Sequence, residues 1–318
     1  TGGQNCMIVD STALPEQVVD DVIASAFQSA GQRCSALRVL FIQTDIAANT
    51  LEMLAGAMAS LKAGDPRLLC SDLGPVIDNG ARTELQKHID RMHKEATFIA
   101  SVALDDQCAD GSFIPPHVFE IRSLDQLTEE VFGPVLHVIR YSSDQLGAVI
   151  QQINDTGYGL TLGIHSRIQA FTETVFRNTI AGNTYINRNM VGAVVGVNPF
   201  GGRGLSGTGP KAGGPNYLLR YSGPLTQPDT QPEPQYAWSI EHNSQPRPAK
   251  SLVTDAAAAM TKWQATAMTK RLEIIGKCQT VFASQLAVIA REKLGQPTQL
   301  PGPTGEDNKL SLHGRGLV

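Results

Sequence analysis

Between Cys6 and Ile186, short β-branched apolar runs alternate with segments of helical period, and this alternation constrains the chain more than any other feature. The runs are Met7-Ile8-Val9, Arg38 to Ile42, Thr97 to Val102, Val118 to Ile121, Val135 to Ile139, Leu160 to Ile164 and Thr184 to Ile186. Residues of this type in runs this short read as buried strands. Between them, apolar residues recur at helical spacing. Val18, Val19, Val22, Ile23, Ala26 and Phe27 follow the Pro15-Glu16 helix opening. Ala47 to Leu61 reads as the next helix, stopped by Gly64-Asp65-Pro66. Leu85, Ile89 and Met92 mark a third, Leu146, Val149, Ile150 and Ile153 a fourth, and Gln169 to Arg177 a fifth. Pro115-Pro116 confines its neighbourhood to an edge or a loop. Connections long enough to cross over predict an α/β fold with a largely parallel sheet covered by helices on both faces.

Beyond this region the pattern changes. Residues 223–250 are rich in proline, glutamine and serine and read as an extended arm or linker. Asp255 to Arg291 reads as helix, with Trp263 anchoring its start and Leu272, Ile275, Phe282, Leu286 and Ile289 on one face. Leu300 to Glu306 is turn-rich, and Gly316-Leu317-Val318 reads as the entry to a strand. The expected division is 1–221 for the α/β domain, 222–250 for the arm and 251–318 for the start of a C-terminal region.

Charge and cysteine usage exclude several classes. The net charge of −4 offers no footprint for nucleic acid on this segment. No apolar run approaches the length of a membrane span, and no signal peptide is read. The five cysteines are scattered without a Cys-x-x-Cys pair, so neither a zinc site nor a disulfide framework is expected. Reduced thiols in a cytoplasmic compartment fit better. The seven histidines have no metal-ligand spacing.

One cysteine stands apart. Cys34 lies in Ser29-Ala30-Gly31-Gln32-Arg33-Cys34-Ser35-Ala36, which reads as a strand-to-helix loop with small neighbours. Gly31 permits a tight turn before it, and Arg33 places a cation beside it. A thiol becomes an effective nucleophile when its surroundings favour the thiolate. Free cysteines are more often buried structural residues, and this stretch alone does not displace that reading.

Two further stretches add chemistry. Glu129-Glu130-Val131-Phe132-Gly133-Pro134-Val135 pairs carboxylates with an aromatic ring at the mouth of a strand. It reads either as a plain loop or as a carboxylate for vicinal hydroxyls beside a ring that packs a flat heterocycle. Gly192 to Gly202 reads either as a flexible loop or as one whose backbone amides hold an anion. Gly202-Arg203-Gly204-Leu205-Ser206-Gly207 is formally G-x-G-x-x-G, but it follows Pro199-Phe200 rather than a strand, and no helix opens after it. The dinucleotide-fold reading of these glycines is therefore rejected.

Taken together, Thr1-Gly2-Gly3-Gln4-Asn5, Gly31-Gln32-Arg33-Cys34, Gly64-Asp65-Pro66, Glu130-Val131-Phe132-Gly133-Pro134-Val135 and Asn198 to Gly207 resemble, in order, the motifs of the aldehyde dehydrogenase superfamily. The resemblance covers residues 1 to about 221. Cys34-Ser35 with Gly192 to Val197 resembles its glutamate semialdehyde (pyrroline-5-carboxylate) dehydrogenase branch. The arm, the Trp263 helix and Leu300 to His313 resemble the C-terminal region of the proline utilization A family, which joins that enzyme to a proline dehydrogenase. There, residues 251–318 would begin a degenerate aldehyde-dehydrogenase-like region.

The resemblance implies that Cys34 attacks the aldehyde carbon and that NAD accepts the hydride. It implies that Glu130 binds the nicotinamide ribose with Phe132 beside it. Ser35, Gly192 and Ala193 would hold the substrate carboxylate, and Phe200 would line its aliphatic chain. A water-activating glutamate and most of the NAD-binding half are expected before Thr1, and FAD only in the proline dehydrogenase part of the parent. The parent is expected to be a homo-oligomer acting on a small aldehyde. The alternatives are a fragment that does not turn over and a CoA-acylating semialdehyde dehydrogenase. A cysteine hydrolase is disfavoured, since no His–Asn arrangement accompanies Cys34.

Overall fold

The structure, a computed structural model of the chain, describes residues 2–218, 221, 249–277, 287–288, 290–291 and 296–312. Its organising element is a seven-stranded sheet. The strands and helices of the first region are, in chain order, β1 (Cys6–Val9), α1 (Pro15–Phe27), β2 (Val39–Gln43), α2 (Thr44–Met58), α3 (Asn79–Glu95), β3 (Thr97–Ser101), β4 (His117–Glu120), β5 (Val135–Tyr141), α4 (Leu146–Asp155), β6 (Tyr158–Gly159), β7 (Thr161–His165), α5 (Gln169–Asn178), β8 (Asn183–Ile186) and β9 (Arg203–Gly204). The sheet order is β3-β4-β5-β2-β1-β7-β8. All neighbours run parallel except β3 and β4. Pro115 and Pro116 lie in the turn of that antiparallel edge pair, where proline removes no ladder bond.

Strand alternation divides the core in two. Cys6 and Ile8 of β1, with Val39 and Phe41 of β2, face one layer, which α3, α4 and α5 close with Leu85, Ile89, Val149, Ile153 and Val175. Met7, Val9, Leu40 and Ile42 face the other, closed by Val18, Val22, Leu51, Leu54 and Met58 of α1 and α2. Burial on both faces explains why these strands read as continuous apolar runs. Each fully buried Leu, Ile or Phe contributes about 1.5–3 kcal/mol, so the sheet provides a rigid platform for the loops at its ends. Local signals fit this arrangement. Pro15 opens α1, and Asp78 caps α3 by accepting from the Ala81 amide at 2.8 Å.

Several expectations need correction. Cys34 lies on a helix-to-strand connection, between α1 and β2, and not on a strand-to-helix loop. The residues Tyr158–Gly159 and Arg203–Gly204 form an extra antiparallel pair that periodicity did not reveal, being too short to show alternation. Gly204 lies within it and no helix opens among the described residues 205–218, in keeping with the rejection of the glycine fingerprint.

The described chain divides into two compact units, residues 1–194 with 200–217, and residues 195–199 with 218–318. The second contains α6 (Ala249–Ala265), α7 (Met268–Gly276), β10 (Thr298–Leu300) and β11 (Asn308–Leu310). The single helix expected from Asp255 is therefore interrupted after Ala265. Thr266 turns its hydroxyl back onto the Lys262 carbonyl at 2.7 Å, a local bond that competes with continuation. Trp263 sits in the last turn of α6, not at a helix start. Leu272 is buried, whereas Phe282, Leu286 and the side chain of Ile289 lie outside the described residues, as do residues 222–248 of the arm and the terminal 313–318. The turn-rich tail is the connection of an antiparallel hairpin, β10 with β11. Asn198 donates to Asn308 Oδ1 at 3.3 Å within this unit.

Candidate active site

The Cys34 connection begins where α1 ends abruptly. Ser29, Ala30 and Gly31 all take left-handed backbone angles, with φ of 55°, 51° and 65°. Two of them carry a Cβ, so the turn is strained and must be held from outside. Gly31 is obligatory there, because a Cβ would lie 2.3 Å from the Gly133 carbonyl oxygen. The turn thus presses directly on the loop that carries Glu130 and Phe132.

Arg38 holds the two loops together. It is fully buried at the entrance to β2. Nη1 donates to the Gly31 carbonyl at 2.6 Å and the Gly133 carbonyl at 3.3 Å. Nη2 donates to the Arg33 carbonyl at 3.1 Å and to Glu130 Oε1 at 3.3 Å. The guanidinium stands 4.9 Å from the centre of the Phe132 ring. Burial lowers the pKa of this guanidinium, and the Glu130 carboxylate opposes that pull. The sequence reading took Arg38 for the first residue of a strand and missed this role. Its signal was a lone arginine opening an otherwise apolar, fully buried run, which needs acceptors of its own.

The cation assigned to Cys34 from sequence, Arg33, is turned elsewhere. Its Nε donates to Ser29 Oγ at 3.0 Å and braces the strained turn. Asn5 fixes the Cys34 backbone from the other side. Its Nδ2 donates to the carbonyls of Cys34 at 2.7 Å and Ala36 at 2.9 Å, while its Oδ1 accepts from the Thr161 amide at 3.3 Å. The Thr161 hydroxyl donates to the Ser35 carbonyl at 3.2 Å. The residues flanking the thiol are thereby anchored to β1 and β7.

Among the described cysteines, Cys34 is half-buried. Cys6 is buried, and desolvation pushes its thiol well above the ordinary range. Cys108 is buried too and shifted in the same direction by the same cause. Cys70 is exposed, and Cys278 lies outside the described residues.

The carboxylate of Glu130 has one donor on each oxygen, the Gly3 amide on Oε2 at 3.1 Å and Arg38 on Oε1. Gly2 passes so close that a Cβ would lie 2.7 Å from Oε2. About 20% of the Glu130 side chain is exposed, which leaves lone pairs open to a hydroxyl-bearing ligand. Phe132 is 45% exposed with the guanidinium over one face, so a flat ring can pack on the remainder. These residues fit the ribose and nicotinamide of NAD in chemistry and exposure.

Arg38 therefore joins the turn that leads into Cys34 to Glu130 and Phe132. Ser35 is buried, Gly192 and Ala193 are exposed, and Phe200 is half-buried. Among the described residues no hydrogen bond connects these four. Gly192 has φ of 83° with open space where a Cβ would stand. An indirect link runs through Ser25 of α1. Its hydroxyl accepts from the Met190 amide at 3.0 Å, and its carbonyl accepts from the Leu37 amide at 2.9 Å. Phe200 is held by backbone pairing with Ala212. Lys211 lies next to that bridge and donates to the Gly182 carbonyl and to Asn183 Oδ1. Among the described residues no three His, Cys, Asp or Glu side chains gather for a metal, and no helix is long and apolar enough to cross a membrane.

A half-buried thiol on a helix-to-strand turn, clamped through Arg38 to the loop that carries a carboxylate and an open aromatic face, makes up the candidate site of this α/β domain. Residues 1–227 match the aldehyde dehydrogenase family, and the chain belongs to that family. It is 47% identical to the bifunctional protein PutA of Klebsiella aerogenes, over 100% of this chain and 24% of that protein. A crystal structure of a bifunctional proline utilization A protein superimposes with a TM-score of 0.68 at 56% identity, covering 70% of this chain and 22% of the other. The 1-pyrroline-5-carboxylate dehydrogenase from Thermus, solved with bound NAD, gives a TM-score of 0.63 at 36% identity, over 69% of this chain and 42% of that one. The chain spans about a quarter of the length of the PutA proteins it matches.

Proposed function

We propose that this chain supplies the nucleophile and part of the NAD site for oxidation of L-glutamate γ-semialdehyde to glutamate, the second step of proline breakdown, in a cytoplasmic parent that also carries a proline dehydrogenase. One observation carries the reading. Arg38 bonds at once to the turn that bears the thiol and to the Glu130 carboxylate, with the Phe132 ring beneath it. Such a bridge is what a thiol and a cofactor carboxylate need if they are to act on one substrate carbon.

In this reading the Cys34 thiolate adds to the aldehyde carbon, forming a carbon–sulfur bond and an oxyanion that accepts from the Cys34 amide. NAD, when bound, supplies the hydride acceptor. Glu130 would receive the ribose hydroxyls, and Phe132 would pack beside the nicotinamide ring. Cys34 is left as a thioester, which water hydrolyses to release the acid and restore the thiol. Ser35 with the Gly192 and Ala193 amides replaces the water around the substrate's distant carboxylate, and Phe200 contacts its methylenes.

The test uses the full-length protein that carries this chain. Cys34→Ala is expected to abolish NADH formation from the semialdehyde, and retained turnover would end the proposal. Ser35→Ala is expected to lower kcat/KM for the semialdehyde about ten- to a hundredfold, the worth of one charge-assisted bond of roughly 1.5–3 kcal/mol. Propanal turnover should change far less. An equal loss on both substrates would assign Ser35 to the nucleophile and withdraw the carboxylate assignment.

A further inference from the structure

The residues around the thiol close into a β-turn. The Ala36 amide donates to the Arg33 carbonyl at 3.0 Å, which puts Cys34 and Ser35 at the two central positions. Types II, I′ and II′ need a positive φ at a central residue, and neither residue has one. The turn is therefore type I, in which successive N–H groups face the same way, as in the first turn of a helix. Among the described residues neither the Cys34 amide nor the Ser35 amide donates a hydrogen bond. A main-chain N–H left without an acceptor is costly, above all on a buried residue such as Ser35.

The carbonyls of the same turn, by contrast, are all committed. Arg38 Nη2 donates to the Arg33 carbonyl at 3.1 Å, Asn5 Nδ2 to the Cys34 carbonyl at 2.7 Å, and the Thr161 hydroxyl to the Ser35 carbonyl at 3.2 Å. In a trans peptide a carbonyl and the N–H of the next residue point in opposite directions. Arg38 therefore turns the Cys34 N–H away from itself, and Asn5 does the same to the Ser35 N–H. Asn5 is buried and cannot swivel. Its Nδ2 also donates to the Ala36 carbonyl at 2.9 Å, and its Oδ1 accepts from the Thr161 amide at 3.3 Å. Two aligned donors thus stand on the residue that carries the thiol and on the residue after it. Acyl-transfer sites on unrelated folds hold a developing oxyanion with the nucleophile's own amide or with that of the following residue.

We propose that the Ser35 amide is a second oxyanion donor beside the Cys34 amide, and that Asn5 is the positioning residue that keeps it aimed at the substrate oxygen. The proposal rests on the reading that the Cys34 thiolate attacks a carbonyl carbon. As sulfur gives its electron pair to that carbon, the C=O π pair moves onto oxygen, where both amides donate to it. The pair returns to re-form C=O when the leaving group departs, hydride to bound NAD from an aldehyde or an alkoxide from an ester. The Ser35 hydroxyl and the Ser35 amide then have separate tasks, one on the substrate's distant carboxylate and one on its reacting oxygen.

The experiment compares two reactions of Cys34 in the full-length protein, each read on its own peptide by mass spectrometry because Cys70 is exposed as well. Acylation by p-nitrophenyl acetate passes through an oxyanion and needs neither NAD nor a substrate carboxylate. Alkylation by iodoacetamide displaces iodide at a saturated carbon and forms no oxyanion, so it reports the thiol alone. Incorporating the α-hydroxy acid analogue of serine at position 35 turns the amide into an ester, which removes the N–H and keeps the side chain. Acylation of this variant is expected to slow about a hundred- to a thousandfold, the usual worth of one oxyanion donor, with alkylation close to native. Asn5→Ala leaves the N–H but frees its peptide, and acylation should slow about a hundredfold, again without a matching loss in alkylation. If Asn5→Ala does not fold, the ester variant alone decides. Native acylation in the ester variant, or acylation and alkylation falling together, overturns the proposal. A Cys34→Ala protein that still forms NADH withdraws the proposed function and this inference with it. Native protein that is acylated at Cys34 yet does not oxidise the semialdehyde withdraws the substrate reading alone, and the ratio of the two rates still decides the amides.

Discussion

Replacing Arg38 with methionine tests the bridge between the two loops. Methionine fills much of the volume and donates nothing. The Gly31, Arg33 and Gly133 carbonyls would lose their shared donor, and Glu130 would lose its cation. Removing one member of a buried ion pair costs about 3–5 kcal/mol, because the other is left uncompensated. Glu130 keeps the Gly3 amide and some contact with water, which argues for the lower half of that range. The carbonyl losses argue for the upper half, and the terms do not add independently. At about 1.4 kcal/mol per tenfold, local opening should become roughly a hundred- to several-thousandfold more frequent. Hydrogen exchange resolved by mass spectrometry on the full-length protein reads this directly. Exchange should accelerate in residues 29–38 and 130–135 together, with β1 and β7 changed little. The KM for NAD should rise in the same variant, since Glu130 and Phe132 lose the group that orients them. Acceleration in only one of the two segments would refute the bridge, because a shared clamp cannot release one side alone.

Gly31→Ala should destabilise the same turn by more than the 1–2 kcal/mol of a left-handed alanine, since its Cβ also meets the Gly133 carbonyl. A lowered temperature of thermal inactivation with reduced kcat/KM is expected, and native-like values would show that the turn can relax. The His88–His137 contact predicts an acid limit. Their Nε2 atoms are 2.9 Å apart and His137 Nδ1 donates to the Arg38 carbonyl at 3.1 Å, so His137 must stay neutral for its Nε2 to accept from His88. Burial lowers His88 to about 4 and His137 to about 3, so stability is complete above the unfolded value near 6.5 and is lost as pH falls toward 4. His88→Gln can donate to His137 without titrating and should move acid inactivation to lower pH. An unmoved midpoint would refute that account.

What the sequence revealed and what it hid follow one physical division. The sheet was legible because β1, β2, β5 and β7 are buried on both faces and therefore spell continuous apolar runs. The helices were legible because their buried residues recur along one face. Cys34, Glu130 and Phe132 were legible only as ordered short motifs, since no periodicity marks a loop. The residues that join those motifs were not legible. Arg38 stands in sequence beside four strand residues, yet its partners are 5, 7, 92 and 95 residues away. His165 ends an apolar strand and reads as its last residue, but Asp21 reaches it from a helix 144 positions earlier, a separation given by 165 − 21. A motif advertises residues whose neighbours in sequence are also their neighbours in the site. A clamp is made by a buried polar residue whose partners are brought by the fold. Its only sequence trace is a charged or titratable side chain inside an apolar run, which Arg38 and His137 leave, whereas Asp21 stands beside Asp20 on an amphipathic helix and leaves none. In a doubly covered sheet such a residue cannot reach water, so it must find its partners at the strand ends, where the loops of the site begin. Buried polar residues at the ends of strands are therefore the positions from which the second layer of a site in this fold should be sought.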